Sequence, residues 1–205
     1  GNAKSSSDAL EKADKALQSV GMSLDVVAGK YSTQFSGGEL QRVSIARALI
    51  TSPKLIIADE PVAMIDASMK INIVNLFKKI RDEYDISFIY VTHDLSTAYY
   101  VSDYIATLYR GSLIEFGPSK EIMENPAHPY TQLLMNSVPH VGEKWQNSIV
   151  MSEAETREFT LATCKFVSRC SYANEHCVSS RPQMMELGGG RSVLCYKPLL
   201  NPNRQ

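Results

Sequence analysis

The sequence predicts an α/β fold: a parallel sheet with flanking helices and an antiparallel edge hairpin, followed by a small cysteine-rich unit. Three observations predict it. Apolar runs at Leu55–Ala58 and Ile86–Val91 alternate with helical patterns, as strands of a helix-covered parallel sheet do. Two strand-like runs flank Gly111-Ser112, a hairpin signal. All four cysteines lie beyond residue 160, in a segment broken by Gly188-Gly189-Gly190.

The elements follow in order. Residues 5–20 read as an amphipathic helix, with serines for caps, Leu10, Ala13, Leu17 and Val20 on one face, and Gly21 as a stop. Residues 22–34 read as loop with a short helical piece. Residues 38–50 read as a helix burying Leu40, Val43, Ala46 and Leu49, ended near Pro53. Residues 54–58 read as a strand covered on both faces. Asp66 can cap a helix over 67–81 that faces Ile71, Val74, Phe77 and Ile80 inward. A strand over 86–91 leads to Thr92-His93-Asp94 and a short helix over 95–101. The hairpin strands are 104–109 and 113–116. Gly117-Pro118 breaks the pattern, and short helices follow over 119–124 and 129–137. Residues 141–158 are polar with little period. No internal repeat is present.

With 205 residues, 44% of them hydrophobic, the chain can build one good core and a small second unit. Twenty-one basic and 22 acidic residues leave a formal net charge of −1. That balance gives no electrostatic reason to expect nucleic acid as a partner. Apolar runs fall far short of the ~20 residues a spanning helix needs. The N-terminal GNAKSSS lacks the apolar core of a signal peptide. A soluble chain is expected, with any membrane link made through a partner.

The chemistry concentrates between Phe35 and Pro61. Ser36-Gly37-Gly38-Glu39 fits S-x-x-E, an ordinary capping box. The two glycines exceed what a cap needs. They cost helix propensity, about 1 kcal/mol each relative to Ala in a helix interior. They also let an anion approach free backbone N–H groups at the positive end of a helix. Asp59 and Glu60 follow a buried strand. Such a pair is either two solvated turn acids or the equipment for holding Mg²⁺ and activating water. Strand alternation is expected to aim them in different directions, leaving Glu60 in line as a base. Asp66 reads as a plain N-cap. His93 ends the second strand, and a lone histidine there is more often structural. His128, His140 and His176 have no chemical context in the sequence.

Taken together, Phe35–Pro61 resembles the signature motif and Walker B strand of ABC-transporter ATPases, and His93 in IYVTHDL resembles their switch histidine. The match runs from about Tyr31 to Pro139. HPYTQLLMNSVP, followed by the cysteine segment, is similar to the ATP-binding subunits of dipeptide/oligopeptide importers. The resemblance implies part of a P-loop ATPase core with a helical-subdomain segment. It implies that Ser36, Gly37, Gly38 and Glu39 face ATP held on a second ATPase subunit, and that Asp66 sits at that interface. It implies Asp59 in the Mg²⁺ shell, Glu60 on the attacking water and His93 on the γ-phosphate. Glu39 stands where the family usually has Gln, and an acid there repels a triphosphate unless it turns back as the cap. Ala63 stands where a serine is common.

No G-x-x-x-x-G-K-[ST] occurs in the chain. The expectation is therefore the C-terminal part of a longer ATPase, divided as 1–52, 53–117, 118–160 and 161–205; the other readings are a soluble ABC-class ATPase of another process and a non-catalytic remnant or regulatory module. The implied partners are transmembrane permease subunits and, indirectly, a substrate-binding protein. The implied place is the cytoplasmic face of the cell membrane.

Cys164, Cys170, Cys177 and Cys195 are spaced C-x5-C-x6-C-x17-C, unlike a zinc ribbon. Four thiolates can hold a [4Fe–4S] cluster. Zn²⁺, reduced thiols and disulfides remain as other readings. The importer ATPases that the segment resembles carry such a cluster. Few large apolar residues lie in the tail, so a metal is expected to staple it, with the 17-residue excursion to Cys195 as a loop that the metal closes.

Overall fold

A computed structural model describes residues 4–63, 65–137 and 161–200. The polar stretch 141–158 lies outside them. The chain divides into two compact units, Gly1–Val101 and Ser102–Gln205.

The first unit opens with α1 (Ser6–Ser19). Ser5 caps it, its side chain accepting from Asp8 N. Leu17 and Val20 are buried, but Leu10 is exposed. A short α2 (Leu24–Val27) and a 3-10 turn (Ser32–Gln34) lead to α3 (Gly37–Leu49). α3 buries Ile45 and Ala46, while Leu40 is exposed. The apolar positions of this helix allow two phases of the same period, and contact with α1 selects the one through Ile45. β1 (Leu55–Asp59) pairs in parallel with β2 (Ser87–Val91), Asp59 opposite Val91. Between them lies α4 (Ala67–Tyr84), which ends where Asp85 turns left-handed at φ 54°. Ile73, Val74, Phe77 and Ile80 of α4 form the core, joined by Ala58, Val62 and Ile86, with Phe88 and Tyr90 packed edge-on to Phe77. Ile71, expected inside, is exposed.

β1 and β2 are not covered on both faces as expected. Leu55 and Ile57 of β1, and Ile89 and Val91 of β2, are exposed. α4 packs on one face of this two-stranded sheet, and alternate residues of each strand point to the other. α5 (Leu95–Val101) closes the unit. Asp94 accepts from Ser96 N and Thr97 N at its start, and Lys70 of α4 reaches Asp94 Oδ2 at 3.4 Å.

The second unit holds the hairpin β3 (Tyr104–Tyr109) and β4 (Ser112–Pro118). Its turn places both Arg110 and Gly111 at positive φ, the requirement of a type I′ hairpin. α6 (Ser119–Glu124) and α7 (Pro129–Asn136) follow. The tail contributes a 3-10 turn (Val167–Arg169), α8 (Glu175–Ser179), β5 (Met185–Gly188) and β6 (Arg191–Val193). The hairpin is therefore not the edge of the parallel sheet. It belongs to a separate antiparallel sheet of order β3-β4-β6-β5. The glycine run makes the β5–β6 turn, with Gly188, Gly189 and Gly190 all at positive φ. The excursion expected as a loop closed by metal is thus a strand pair held by backbone hydrogen bonds. Among the described residues, no helix is long and apolar enough to cross a membrane.

Candidate functional site

The parallel pairing of β1 and β2 brings the carboxyl ends of both strands to one place, where ligands of α/β sheets bind. Asp59 is the last residue of β1 and is exposed. Glu60 does not continue the strand. It sits at φ 45°, with its N–H donated to Val91 O, and its carbonyl accepts from Ala63 N. A non-glycine residue in the left-handed region costs about 1–3 kcal/mol and persists where surroundings hold it. This backbone turn, rather than strand alternation, separates the two acids and sends the Glu60 side chain toward β2.

There His93 receives it. Glu60 Oε1 lies 2.7 Å from His93 Nδ1 and accepts from His93 N at 3.2 Å. An ionised carboxylate only accepts, so Nδ1 carries the proton in this contact. The neutral ring then presents a lone pair at Nε2 and donates there only once it takes a second proton. Among the described residues nothing bonds Glu60 Oε2, so one carboxylate oxygen stays available to a water. Both groups are open to solvent, with side-chain exposures of 37% for Glu60 and 81% for His93.

Ser36 caps α3 in a reciprocal box. Its hydroxyl accepts from Glu39 N at 3.3 Å, and Glu39 Oε2 accepts from Ser36 N and from Ser36 Oγ, both at 2.8 Å. The Ser36 amide, and next its hydroxyl, hold the Glu39 carboxyl below the usual range. Glu39 is therefore turned back onto the cap. Gly37 is exposed and Gly38 buried, where an added Cβ would stand 3.5 Å from Met69 of α4. Asp66 holds the N-cap position of α4 but makes no side-chain cap bond. No hydrogen bond among the described residues ties Ser36, Gly37, Gly38, Glu39 or Asp66 to the Glu60–His93 pair.

The four cysteines are free thiols. All of them line one recess, with His128, Pro129, Phe166, Tyr172 and Tyr196. The backbone N–H groups of Phe166, Tyr172 and Lys197 pull the thiols of Cys164, Cys170 and Cys195 down, a pull smaller than that of burial. Burial raises these three thiols, Cys195 to about 11. Cys177 donates to Asn174 Oδ1 at 3.3 Å. Among the described residues no three of His, Cys, Asp and Glu form a group that could hold a metal ion. Four thiols facing one recess are soft donors of the kind that suit a soft metal. Their present arrangement is not a closed ligand set.

A strand-end acid pair, a histidine just past the next strand and a capped Ser-Gly-Gly helix are the local features brought together in the first unit. Residues 2–63 match the family described as ABC transporter. Residues 114–177 match the family described as oligopeptide/dipeptide transporter, C-terminal region. The chain is similar in its first part to ABC transporters and in its later part to the C-terminal region of oligopeptide/dipeptide transporters. It is 36% identical over 187 residues to the putative oligopeptide transport ATP-binding protein YkfD of Bacillus subtilis, covering 89% of this chain and 56% of that one. It is 35% identical over 199 residues to the oligopeptide transport ATP-binding protein OppF of Haemophilus influenzae, covering 95% of this chain and 60% of that one. The chain thus spans less than two thirds of the length of these relatives. Among solved structures, the ADP conformation of the ATP-binding cassette MJ1267 aligns with TM-score 0.53 and 26% identity, over 62% of this chain and 49% of that one. CbiO1 from Clostridium perfringens aligns with TM-score 0.54 and 30% identity, over 60% and 49%.

Three buried polar residues of the second unit carry no signal in the sequence: Glu115, His128 and Arg191. Glu115 is fully buried on β4 and meets Arg191 of β6 at 2.8 Å. His128 is buried beside them, and desolvation lowers its pKa to about 4, against a smaller opposite pull from Glu115.

Proposed function

We propose that, in a full-length ATPase with its phosphate loop, this chain supplies the signature turn and the hydrolytic residues of a subunit that powers import of di- or oligopeptides. The Glu60–His93 contact carries the reading. Glu60 is the general base for the attacking water through Oε2, and His93 orients it through Oε1. Once protonated at Nε2, His93 also reaches the γ-phosphate. Asp59 holds Mg²⁺, whose charge offsets that of the phosphates. Ser36, Gly37 and Gly38 face the triphosphate of a second ATPase subunit, and Asp66 lies at that interface with its carboxylate unused by the helix. Permease subunits anchor the assembly at the cytoplasmic face of the membrane, and a substrate-binding protein delivers peptide to them. Both named relatives are oligopeptide transport proteins, which supports the substrate class.

The test is Glu60→Gln in the full-length protein. ATP binding is retained, and hydrolysis falls about 10²–10⁴-fold, because an amide keeps the shape and cannot take the proton. Near-normal turnover removes Glu60 from the base role.

The cysteine recess we assign to a [4Fe–4S] centre in preference to zinc, with Cys164, Cys170, Cys177 and Cys195 as its ligands. The group would supply a structural staple, since binding four thiolates and ordering the tail are one event. Anaerobic reconstitution with ferrous iron and sulfide gives a brown protein with about four irons per chain. One tightly held zinc in colourless anaerobic protein overturns the assignment.

A further inference from the structure

His93 has no wall to lean on. Its side chain is 81% exposed, so packing does not set the direction of the ring. Two bonds to Glu60 Oε1 and the backbone of the turn 92–94 set it instead. Among the described residues, hydrogen bonds tie that turn to distant parts of the chain at two points. One is Glu60, just past β1. The other is Lys70 of α4, whose Nζ lies 3.4 Å from Asp94 Oδ2.

Asp94 joins the turn to α4. Its N–H donates to Thr92 Oγ1 at 3.0 Å, which folds the chain around His93. Its Oδ1 accepts from Ser96 N and Thr97 N, and its carbonyl accepts from Thr97 Oγ1 at 2.9 Å and from Ala98 N at 3.0 Å. All of those partners lie within four residues, so they shape the turn without placing it. Lys70 is 24 residues away, and its contact places it. The lysine stands one turn into a helix that buries Ile73 and Val74 completely, a rigid support. That first turn of α4 starts at Asp66, whose carbonyl accepts from Lys70 N at 3.0 Å.

We propose that Lys70 is a positioning residue for the hydrolytic pair: through Asp94 it holds the turn that keeps His93 Nδ1 on Glu60. This rests on the hydrolytic reading of Glu60 and His93 above. The Lys70 and Asp94 side chains are 32% and 27% exposed, so water screens the pair and its weight is small. A pair of that kind shifts an equilibrium about 2–5-fold. That suffices here, because a ring so open to solvent has few other contacts to hold it. Without Lys70 the turn drifts and the ring spends more time off Glu60, and a small misplacement of reacting groups is costly in rate.

Two readouts test it. The first needs no nucleotide. In the full chain labelled with ¹⁵N-histidine, at a pH where imidazole is neutral, nuclear magnetic resonance reports which ring nitrogen carries the proton. Wild type shows the His93 proton on Nδ1, and Lys70→Met and Asp94→Asn shift it about 2–5-fold toward Nε2. Asn keeps the cap on α5, so a lost helix start does not confound the result. The second readout is ATP turnover of the full-length protein. Both variants lower kcat about 2–5-fold and leave KM for ATP unchanged, the mark of a contact felt only in the transition state. The double variant falls no further than either single one, and Lys70→Arg recovers most of both effects. Near-normal turnover in Glu60→Gln, or a wild type with the His93 proton on Nε2, overturns the hydrolytic reading and this inference with it. With Glu60→Gln inactive, a Lys70→Met protein equal to wild type in tautomer or in kcat overturns the role of Lys70 alone. So does a loss confined to KM, or a double variant that loses the product of the two.

Discussion

Removing Glu115 is expected to cost more stability than removing Arg191, although the two form one ion pair. Glu115 is 0% exposed and accepts three hydrogen bonds, from Ala127 N, His128 N and Arg191 Nη2, while the Arg191 side chain is 11% exposed and keeps its bond to Asn125 O in the absence of the acid. Glu115→Leu orphans the amides of Ala127 and His128, about 1–3 kcal/mol each, and leaves the guanidinium without its counter-charge. Breaking a buried pair from one side costs about 3–5 kcal/mol, and the two amides put Glu115→Leu at the upper end. Arg191→Met leaves the carboxylate with two amide donors, which puts it at the lower end. The double variant removes both charges, so its cost falls short of the sum by about 1–3 kcal/mol. Urea unfolding of the full chain, followed by circular dichroism and by proteolysis within 102–205, measures the three. For a unit of this size a loss of about 4 kcal/mol lowers the midpoint temperature by well over ~10 °C. A Glu115→Leu chain within about 1 kcal/mol of wild type, or an Arg191→Met chain that is the less stable, refutes this reading of the pair.

Gly117→Ala should destabilise the same unit by about 1–3 kcal/mol, because the new Cβ would stand 2.9 Å from Arg191 Cγ and 3.4 Å from its Cα; an unchanged urea midpoint counts against that close approach. In the metal-free chain, acid should weaken the second unit through His128, whose folded pKa of about 4 lies below the ordinary value of 6.5. Glu115, Tyr130, Lys197 and the four cysteines are the titratable groups around it. Between those pH values the unfolded chain binds the extra proton, so stability present above pH 6.5 falls by up to about 3 kcal/mol on descending to pH 4. His128→Gln should flatten that part of the profile, and a wild type with no slope there refutes the assignment. The 205-residue chain by itself should hydrolyse no ATP, since it has no G-x-x-x-x-G-K-[ST] to position the phosphates; turnover abolished by Glu60→Ala would reveal a complete site.

Local chemistry was legible before the fold. Ser36 and Glu39 announce a capping box by spacing alone, and both halves of it form. The strand before Asp59 and the one before Thr92 are read correctly from their apolar runs, since five-residue segments bounded by Pro53 and by Asp85 leave little choice. The phase of a helix is harder. Leu40 and Ile71 keep the period of their helices but lie outside, because Ile45 and Ile73 offer the same period and contact with neighbouring helices decides between them. Glu60 illustrates another limit. Its adjacency to Asp59 is visible in sequence, but its left-handed backbone is not, and that turn aims the carboxylate at His93.

The second unit resists reading for a different reason: its determinants are paired across long separations. Glu115 and Arg191 are 76 residues apart. In the sequence Glu115 is one polar residue in an otherwise apolar strand, and Arg191 one basic residue after three glycines. Either alone reads as solvent-facing. Their burial follows only once β6 is laid beside β4, and that pairing depends on the Gly188–Gly190 turn being a hairpin rather than a slack loop. With the hairpin in place, the tail has backbone hydrogen bonds and a buried ion pair of its own before any metal is bound. The cysteine spacing then describes a recess presented on a partly built scaffold. Among 161–200 the residues that build the scaffold, Arg191 and Val193, are distinct from those that face the recess, Cys164, Cys170, Cys177 and Cys195. A metal there would tighten an existing unit. That division of labour explains why small apolar content did not leave the tail without regular structure.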